Sequence, residues 1–343
     1  MENKKLLSQG EQLEQVLSSM GIVCSFKEYS STILVDKFDF TLSNLNSYNK
    51  IEKAIKIIGK CLHNEIALVE STKYHFAIQI KKNDEVLRYL DYAPASSNRN
   101  AAFIGIDNDG KPVFFDVEKS IHSLIAGSTG MGKTSVLNNI IRGLTAQNTK
   151  EQLSLYLIDI KQTLSLWKGL PHLACKPITT ATDAYTILRR IGREMEERQK
   201  ILASKKLTKA KPGMFSRIVV IIDELADLML DANYNLAIED AIVHLAQVGR
   251  AVNISLIIAT QNPLVKICTS LIKANCPTRI AMTMASARDS INIIGDKAAS
   301  LLSGCGYGII SVAGQPKRQY FKACYLTDDE IKDYIKQLKG ERK

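Results

Sequence analysis

A glycine-rich loop between an apolar segment and a helical pattern constrains the fold of this chain more than any other sequence feature. The apolar segment ends at Ala126, and residues 127–134 read Gly-Ser-Thr-Gly-Met-Gly-Lys-Thr. Apolar residues then recur with the spacing of one helix face from Val136 to Leu144. A strand, a glycine-rich turn and a helix in this order predict an α/β domain with a phosphate-binding loop.

The residue types in this loop follow G-x-x-x-x-G-K-[ST] at every fixed position. Glycines allow the turn to bring successive main-chain N–H groups around a phosphate, and the helix N-terminus adds a partial positive charge. Lys133 is expected to reach the β- and γ-phosphates of ATP, and the Thr134 hydroxyl to hold Mg²⁺. The alternative is a glycine-rich turn without a ligand. The predicted nucleotide-binding residues are Gly127, Ser128, Thr129, Gly130, Met131, Gly132, Lys133, Thr134 and Ser135.

The composition is typical of a globular protein, and the length of the chain suggests two domains. The chain has 343 residues, of which 45% are hydrophobic and 23% charged. No apolar run approaches the ~20 residues of a membrane span, and the start of the chain, MENKKLLSQGEQ, lacks the apolar core of a signal peptide. We therefore expect a cytoplasmic protein without membrane insertion. The net charge of +10 favours a polyanion partner such as nucleic acid, with an ordinary basic surface as the alternative.

Cysteine and histidine give no sign of a structural metal. The seven cysteines are scattered without a C-x-x-C pair, and the five histidines form no H-E-x-x-H motif. We expect reduced core thiols and neither a disulfide framework nor a zinc site.

Residues 1–98 are predicted to form a small α+β domain. Periodicity indicates an αββαββ-like order, with one further strand at the end. The predicted elements are a helix at 6–20, strands at 22–27 and 32–42, a helix at 48–62, and strands at 66–69, 74–80 and 86–90. The stretch Ala-Pro-Ala-Ser-Ser-Asn at 93–98 is the expected linker.

Residues 99–343 are predicted to form a larger α/β domain with a mainly parallel sheet. A hairpin with its turn at Asp109-Gly110 leads into the phosphate loop. Beyond the loop, continuous Val/Ile/Leu strands alternate with helices, which indicates a sheet covered on both faces. The predicted strands are 153–158, 218–222, 254–259, 279–284, 307–312 and 319–325, and the predicted helices are 183–203, 236–248, 264–274, 286–294 and 328–338.

Polar residues at the ends of two predicted strands complete a candidate hydrolytic site. Asp223 and Glu224 follow the strand Ile218–Ile222. Asp223 is expected near Mg²⁺, and Glu224 is expected to orient an attacking water. Gln261 follows the strand at 254–259 and could sense the γ-phosphate, with a plain loop amide as the equal alternative.

Positively charged residues could act on the nucleotide or on DNA. Hydrolysis often uses an arginine donated by a neighbouring subunit, and Arg250, Arg279 and Arg288 are candidates, each with a surface or structural role as the alternative. Residues 200–217 carry six basic residues and no acidic ones. This run could follow a phosphate backbone without base specificity, or could simply be solvated.

From about Phe103 to Tyr325, the chain resembles the FtsK/SpoIIIE family of DNA translocases, within the HerA–FtsK group of P-loop motors. The matching stretches are HSLIAGSTGMGKT at 122–134, LIDIK at 157–161, PHL at 171–173, EMEERQ at 194–199, IVVIIDELADLM at 218–229, HLAQVGRAVNISLIIATQNP at 244–263 and LIKANCPTRIA at 271–281. The resemblance implies a RecA-like motor domain that assembles as a hexameric ring, with ATP sites between subunits and double-stranded DNA through the centre.

The resemblance also assigns roles to matching positions. It implies that Lys133 and Thr134 bind phosphate and Mg²⁺, that Asp223 supports the metal, and that Glu224 is the catalytic carboxylate. Gln261 matches the polar sensor, and Arg250 is the first choice for the arginine acting in trans, ahead of Arg279 and Arg288. Residues 1–98 correspond to the divergent small domain that stacks as a second ring.

Departures from the family pattern concern DNA contact and chain length. The segment between EMEERQ and the Asp-Glu strand is short and lacks a Tyr-Asn signature, and LDANYN at 230–235 replaces basic residues. The sequence includes neither a membrane-spanning region nor a DNA-reading winged-helix domain. We expect a short form from a plasmid, integrative element or phage.

Three functions remain open at this point. The first is an ATP-driven translocase on double-stranded DNA with little sequence preference. The second is a coupling or secretion ATPase that delivers protein or a DNA–protein substrate to a membrane channel. The third is a nucleotide-binding assembly module without productive hydrolysis, which Glu224 and Gln261 argue against.

Overall fold

The computed structural model describes residues 2–32, 34–43, 50–51, 53–55, 57–58, 66–71, 74–82, 86–94, 96, 98–302 and 304–340. The chain divides into two compact units. The first comprises residues 1–85 and 108–111, and the second comprises residues 86–107 and 112–343. In the part of the chain that is described, no helix is both long and apolar enough to cross a membrane.

The smaller unit is built on a four-stranded antiparallel sheet in the order β1-β2-β4-β3. Its elements are α1 (Glu2–Ser19), β1 (Cys24–Ser31), β2 (Val35–Leu42), β3 (Ile66–Ser71) and β4 (His75–Lys81), with helical residues between 50 and 58. Alternation along β2 buries Phe38 and Phe40, and the Phe40 ring stacks on Phe76 with centroids 5.2 Å apart. The order of elements agrees with the predicted αββαββ pattern. Part of the helix predicted at 48–62 lies outside the described residues.

Residues 86–90, predicted as a strand, do not form one. Arg88 makes a single β-bridge to Tyr325, and the short helix α2 (Tyr89–Tyr92) follows. The main chain of this segment is bonded to the end of the larger unit, because Tyr89 N donates to Tyr325 O and Tyr325 N donates to Leu87 O. The buried Tyr89 ring packs on Phe103 with centroids 5.5 Å apart. These contacts explain why the units divide at 85/86, whereas the expected boundary was at 98/99.

The larger unit contains a nine-stranded mixed sheet in the order β6-β5-β13-β12-β11-β7-β10-β9-β8. Strands β11, β7, β10, β9 and β8 are parallel, and the other four are antiparallel. The strands are β5 (Ala101–Ile106), β6 (Pro112–Asp116), β7 (Ser123–Ala126), β8 (Leu153–Ile158), β9 (Arg217–Ile222), β10 (Ile254–Thr260), β11 (Thr278–Met282), β12 (Tyr307–Ser311) and β13 (Gln319–Ala323). The parallel half contains the strand that precedes the glycine-rich loop.

Helices cover both faces of this sheet, so every residue of β7 and β10 is buried. One layer packs with Leu124 and Ala126 of β7 and includes Leu188, Ile191 and Ile242. The helices are α3 (Val117–Ser120), α4 (Lys133–Gln147), α5 (Ala181–Ser204), α6 (Leu225–Met229), α7 (Asn235–Val248), α8 (Ser270–Asn275), α9 (Ala287–Ile294) and α10 (Asp328–Leu338). The predicted α/β fold with a smaller α+β unit is confirmed.

The helix predicted at 264–274 is wrong in its first half. Helix α8 begins at Ser270 because the Thr269 side chain accepts a hydrogen bond from Ile272 N and caps the helix there. Residues 264–268 form a turn in which Ile267 N and Cys268 N donate to Leu264 O.

Candidate nucleotide-binding and hydrolytic site

The glycine-rich loop runs from the carboxyl end of β7 to the first residue of α4, Lys133. Gly130 has φ +79° and Gly132 has φ +101°, in the left-handed region that glycine adopts most readily. A Cβ at Gly127 would lie 2.6 Å from Met282 Cβ, so the loop has no room for a side chain there. Gly127 N donates to Thr260 O and Ser128 N to Thr283 O, which holds the loop across the ends of β10 and β11.

Lys133 lies beneath this loop and pairs with Asp223. The Lys133 Nζ lies 2.7 Å from Asp223 Oδ1 and also donates to Asp223 O, and the two side chains are 3% and 1% exposed. Two of the three ammonium hydrogens are therefore directed to Asp223. The third can be donated to a phosphate oxygen placed at the loop and at the N-terminus of the 15-residue helix α4.

Glu224 is fixed by hydrogen bonds to both carboxylate oxygens. Oε1 accepts from the Thr260 hydroxyl at 2.6 Å and from Ala226 N at 3.2 Å, and Oε2 accepts from Gln261 N at 2.9 Å. Among the described residues Oε2 accepts one hydrogen bond, which leaves a lone pair able to accept a proton from water. This carboxylate can therefore orient a nucleophilic water beside the loop.

Gln261 connects the tip of β10 with the glycine-rich loop. Its main-chain N donates to Glu224, and its side-chain Oε1 accepts from the Thr129 hydroxyl at 2.8 Å. The structure thus brings together four predicted site residues, namely Lys133, Asp223, Glu224 and Gln261, at the carboxyl edge of the parallel strands.

Mg²⁺ fits the ligands that this edge offers. Thr134 is half-buried in the first turn of α4, beside Lys133, and Asp223 is the neighbouring carboxylate. A hydroxyl and a carboxylate are hard oxygen ligands, and Mg²⁺ usually completes such a set with water and phosphate oxygens. Among the described residues, no group of three or more His, Cys, Asp or Glu could hold a metal ion by itself.

The three candidate arginines lie in different places. Arg279 donates to the main-chain oxygens of Lys273, Cys276 and Ile293 at 2.6–2.8 Å, and burial lowers the pKa of its guanidinium. Its hydrogen bonds therefore give it a structural role. Arg288 is exposed in the first turn of α9, three residues after Ala285, whose N–H donates to Ser128 Oγ.

Arg250 lies at the opposite edge of the sheet from the loop. It is exposed in a 3₁₀ turn just before the amino end of β10, whereas the loop is at the carboxyl ends of the strands. The fold does not bring Arg250 to the glycine-rich loop of its own chain. An action of Arg250 on a nucleotide would therefore require the loop of another subunit.

The basic run at 200–217 also lies away from the loop. Helix α5 ends at Ser204, and the following segment leads to Arg217 at the amino end of β9. Ala210 N donates to Ala251 O, and Lys209 forms an exposed ion pair with Glu118 at 3.4 Å. Part of this basic run is therefore held by contacts with other residues of the same chain.

Four residues beside the acid pair are not among those predicted from the sequence. Thr163 Oγ1 donates to Asp223 Oδ2 at 2.6 Å, and Asp159 accepts from Thr163 N and Leu164 N. Burial raises the pKa of Asp159, and the nearby Asp223 charge adds to that effect. Lys161 Nζ lies 3.2 Å from Asp227 Oδ1 and 3.9 Å from Glu224 Oε2. The missed residues are Asp159, Lys161, Thr163 and Thr260, each at or just after the carboxyl end of an apolar strand.

Comparison with known proteins shows the family of this chain. The model of the FtsK/SpoIIIE family matches residues 86–213 and 208–265, which is more than half of the chain. The chain belongs to the FtsK/SpoIIIE family. Its relatives include the DNA translocase FtsK of Halalkalibacterium halodurans, 29% identical over all of this chain and 46% of the relative. The DNA translocase FtsK of Lactiplantibacillus plantarum is 30% identical over 98% of this chain and 45% of the relative.

This FtsK/SpoIIIE-family chain thus spans about half the length of the curated relatives that it matches. A solved structure of the pCW3 conjugation coupling protein TcpA, in a monomer form with ATPγS, matches 98% of this chain and 99% of that chain. Its TM-score is 0.65 at 23% identity, so the match shows the fold. The predicted RecA-like fold of the larger unit is confirmed.

Proposed function

We propose that this chain hydrolyses ATP and uses the reaction to move along double-stranded DNA as a ring-shaped homo-oligomer. The observation that carries the proposal is the position of Glu224. Glu224 directly follows Asp223, which pairs with Lys133. Glu224 also accepts a hydrogen bond from Gln261 N at the tip of β10, and the Gln261 side chain contacts Thr129 of the glycine-rich loop. A purely nucleotide-binding module has no need for a carboxylate placed to orient water beside its phosphate loop.

In this proposal each residue of the site has a separate task. The main-chain N–H groups of residues 129, 130 and 132–135 and the third hydrogen of Lys133 hold the phosphates and reduce the charge repulsion between the phosphates and the attacking water. Glu224 Oε2 orients the attacking water and accepts its proton. Gln261, which shares contacts with Thr129 and Glu224, connects the loop with the water-orienting acid.

The proposal includes ATP with Mg²⁺ as the bound ligands. Thr134 and Asp223 would hold the ion, which when bound would neutralise charge on the β- and γ-phosphate oxygens. The Lys133–Asp223 contact also holds the Asp223 carboxylate close to the phosphate loop.

Double-stranded DNA is proposed as the partner because the FtsK relatives that match this chain are named DNA translocases. The net charge of +10 supports contact with a phosphate backbone. Such contact has little sequence preference and weakens as salt rises. The proposal places the chain in the cytoplasm, where ATP and duplex DNA are both present.

A homo-oligomer, hexameric by analogy with the family, is proposed from the position of Arg250. This arginine lies at the sheet edge opposite the loop of its own chain, so a role in hydrolysis requires a neighbouring subunit. An arginine supplied in trans stabilises charge that develops during phosphoryl transfer.

The test is steady-state ATP hydrolysis with and without long linear duplex DNA at several salt concentrations. We expect strong stimulation by DNA that fades with salt and is lost in Lys133→Ala and Glu224→Gln. Stimulated protein should then displace a triplex-forming strand from DNA. Hydrolysis that is indifferent to DNA would contradict the motor proposal, and negligible turnover under all conditions would favour an assembly module.

A second candidate function is a coupling ATPase that delivers DNA–protein or protein to a transport channel. It is favoured by the match in fold to a conjugation coupling protein over 98% of this chain. Hydrolysis that responds to a membrane-channel protein but not to DNA would support this alternative. Co-purification of the chain with a channel protein and stimulation of turnover by that protein are the measurements.

A further inference from the structure

Each acid of the Asp223–Glu224 pair receives a short hydrogen bond from a threonine on a neighbouring strand. Thr163, just after β8, places Oγ1 at 2.6 Å from Asp223 Oδ2. Thr260, the last residue of β10, places Oγ1 at 2.6 Å from Glu224 Oε1. Because β8 and β10 flank β9 on its two sides, the two hydroxyls approach the acid pair from opposite directions.

The Thr260 hydroxyl has two acceptors within reach, Glu224 Oε1 at 2.6 Å and Asn262 O at 3.3 Å, and itself accepts from Asn262 N at 3.0 Å. The contact with Glu224 is much the shorter of the two, so the hydroxyl hydrogen is donated to Glu224. Thr260 is 0% exposed, so this oxygen has no competing bulk water. Two main-chain groups, Ala226 N and Gln261 N, supply the other hydrogen bonds to Glu224.

Thr163 is positioned by a tight turn after β8. Gln162 has φ +58°, an uncommon conformation for a residue with a side chain. Asp159 fixes this turn by accepting from Thr163 N at 2.9 Å and from Leu164 N at 2.8 Å. Thr163 Oγ1 then reaches Asp223 Oδ2, while Oδ1 of the same carboxylate accepts from Lys133. Hydrogen bonds to both of its oxygens thereby fix the orientation of the Asp223 carboxylate.

We propose that Thr260 and Thr163 are positioning residues with separate tasks. Thr260 orients Glu224 towards the attacking water, and Thr163 orients Asp223 towards Mg²⁺ bound with the nucleotide. Hydrogen bonds to a carboxylate are short and strong, and a small displacement of a reacting group can cost about a hundredfold in rate. The inference rests on the proposed ATP hydrolysis and is independent of DNA.

The first test replaces the Thr260 hydroxyl by a methyl group. Thr260→Val should lower kcat of ATP hydrolysis by about tenfold or more, because Glu224 loses a charge-assisted hydrogen bond. The Kd for ATPγS with Mg²⁺, measured by calorimetry, should change by less than about twofold. Thr260→Ser keeps the hydroxyl and should retain kcat within about threefold, which a purely space-filling role would not predict.

The second test makes the same change at Thr163. Thr163→Val should raise several-fold the Mg²⁺ concentration that gives half-maximal binding of a fluorescent ATP analogue, whereas Thr163→Ser should not. This binding measurement does not depend on turnover. At saturating Mg²⁺, Thr163→Val should recover most of its kcat, and Thr260→Val should not.

Several outcomes would overturn the proposal. These are an unchanged kcat in Thr260→Val, an equal loss in the valine and serine variants, or the same Mg²⁺ shift at both positions. If Thr260→Val fails to bind nucleotide, Thr260→Ala removes the hydroxyl without added bulk and carries the same expectation. The threonine variants are measured without DNA, and the wild type is measured both with and without DNA. Wild-type hydrolysis that ignores DNA would contradict the motor proposal and leave the threonine test valid, whereas normal variants would contradict the threonine proposal alone.

Discussion

At the scale of single residues, the motif positions were predictable and their supporting contacts were not. Lys133, Asp223, Glu224 and Gln261 were selected from short local patterns, and the structure brings them together at one sheet edge. Thr260 was missed because its role depends on which strand lies beside β9. A sequence pattern shows that a segment is a strand, but not which segment is its neighbour.

Glu224→Gln should separate binding from hydrolysis. The amide keeps the shape of the side chain but is a far weaker base than a carboxylate, so kcat should fall by about a hundredfold or more. ATPγS affinity should stay within a few-fold of the wild-type value, since Lys133 and residues 127–135 are unchanged. Calorimetry and a coupled hydrolysis assay measure the two quantities. Equal losses of affinity and turnover would show that Glu224 supports the fold of the site.

At the scale of elements, the sequence predicted strands and helices well where the pattern was long. The bounds of α10 match the prediction at 328–338, and those of β8 match 153–158. The errors fall on short apolar stretches, 86–90 and 264–268, where tertiary hydrogen bonds and a capping threonine decide the conformation. The hairpin of β5 and β6 is predicted by its Asp109-Gly110 turn, whereas the antiparallel pairing of β12 and β13 is not, since strand order is set by packing over long sequence separations.

The glycine-rich loop allows a matched test of conformation and close contact. Gly130 and Gly132 both have positive φ, but a Cβ at Gly132 would lie 3.0 Å from Gly306 Cα, whereas no described atom lies within 4 Å of a Cβ at Gly130. Gly130→Ala should cost about 1–2 kcal/mol of unfolding free energy from backbone strain, and Gly132→Ala should cost more and weaken ATPγS binding further. Urea unfolding and calorimetry measure both. Equal effects at the two positions would argue against the close contact.

The start of β7 gives a prediction for pH dependence. His122 Nδ1 accepts from Leu256 N on the neighbouring β10, Nε2 is buried without a hydrogen-bond partner among the described residues, and burial lowers the pKa of His122 to about 4. The unfolded chain therefore binds a proton that the folded protein does not, and stability falls as pH drops below about 6.5. This group should remove about 2 kcal/mol of unfolding free energy between pH 7 and pH 5.

The control variant is His122→Asn. Its amide oxygen can accept the Leu256 N–H, but the side chain does not titrate between pH 5 and pH 7. Urea unfolding at pH 7 and pH 5 should show a smaller loss of stability in His122→Asn than in the wild type. An identical loss in the two proteins would place the pH dependence elsewhere.

At the scale of the whole molecule, the proposed ring predicts that some mixed subunits complement one another. Arg250→Ala lacks the arginine donated to a neighbour, and Glu224→Gln lacks the acid of its own site. A mixed ring contains some interfaces with wild-type Arg250 on one side and wild-type Glu224 on the other. DNA-stimulated hydrolysis by the mixture should therefore exceed that of either variant alone. Confirmed co-assembly without recovery would count against Arg250 as the donated arginine.

The assignment of residues 108–111 to the smaller unit has a consequence for dividing the molecule into parts. The chain passes from one unit to the other after residues 85, 107 and 111, and Asn108 Nδ2 donates to Gln79 Oε1 within the smaller unit. A single cut at 85/86 would therefore leave the 108–111 turn on the larger piece and deprive Gln79 of that hydrogen bond. The two units consequently cannot be separated at a single peptide bond, and a protein that begins at residue 86 would keep the 108–111 turn without its Gln79 partner.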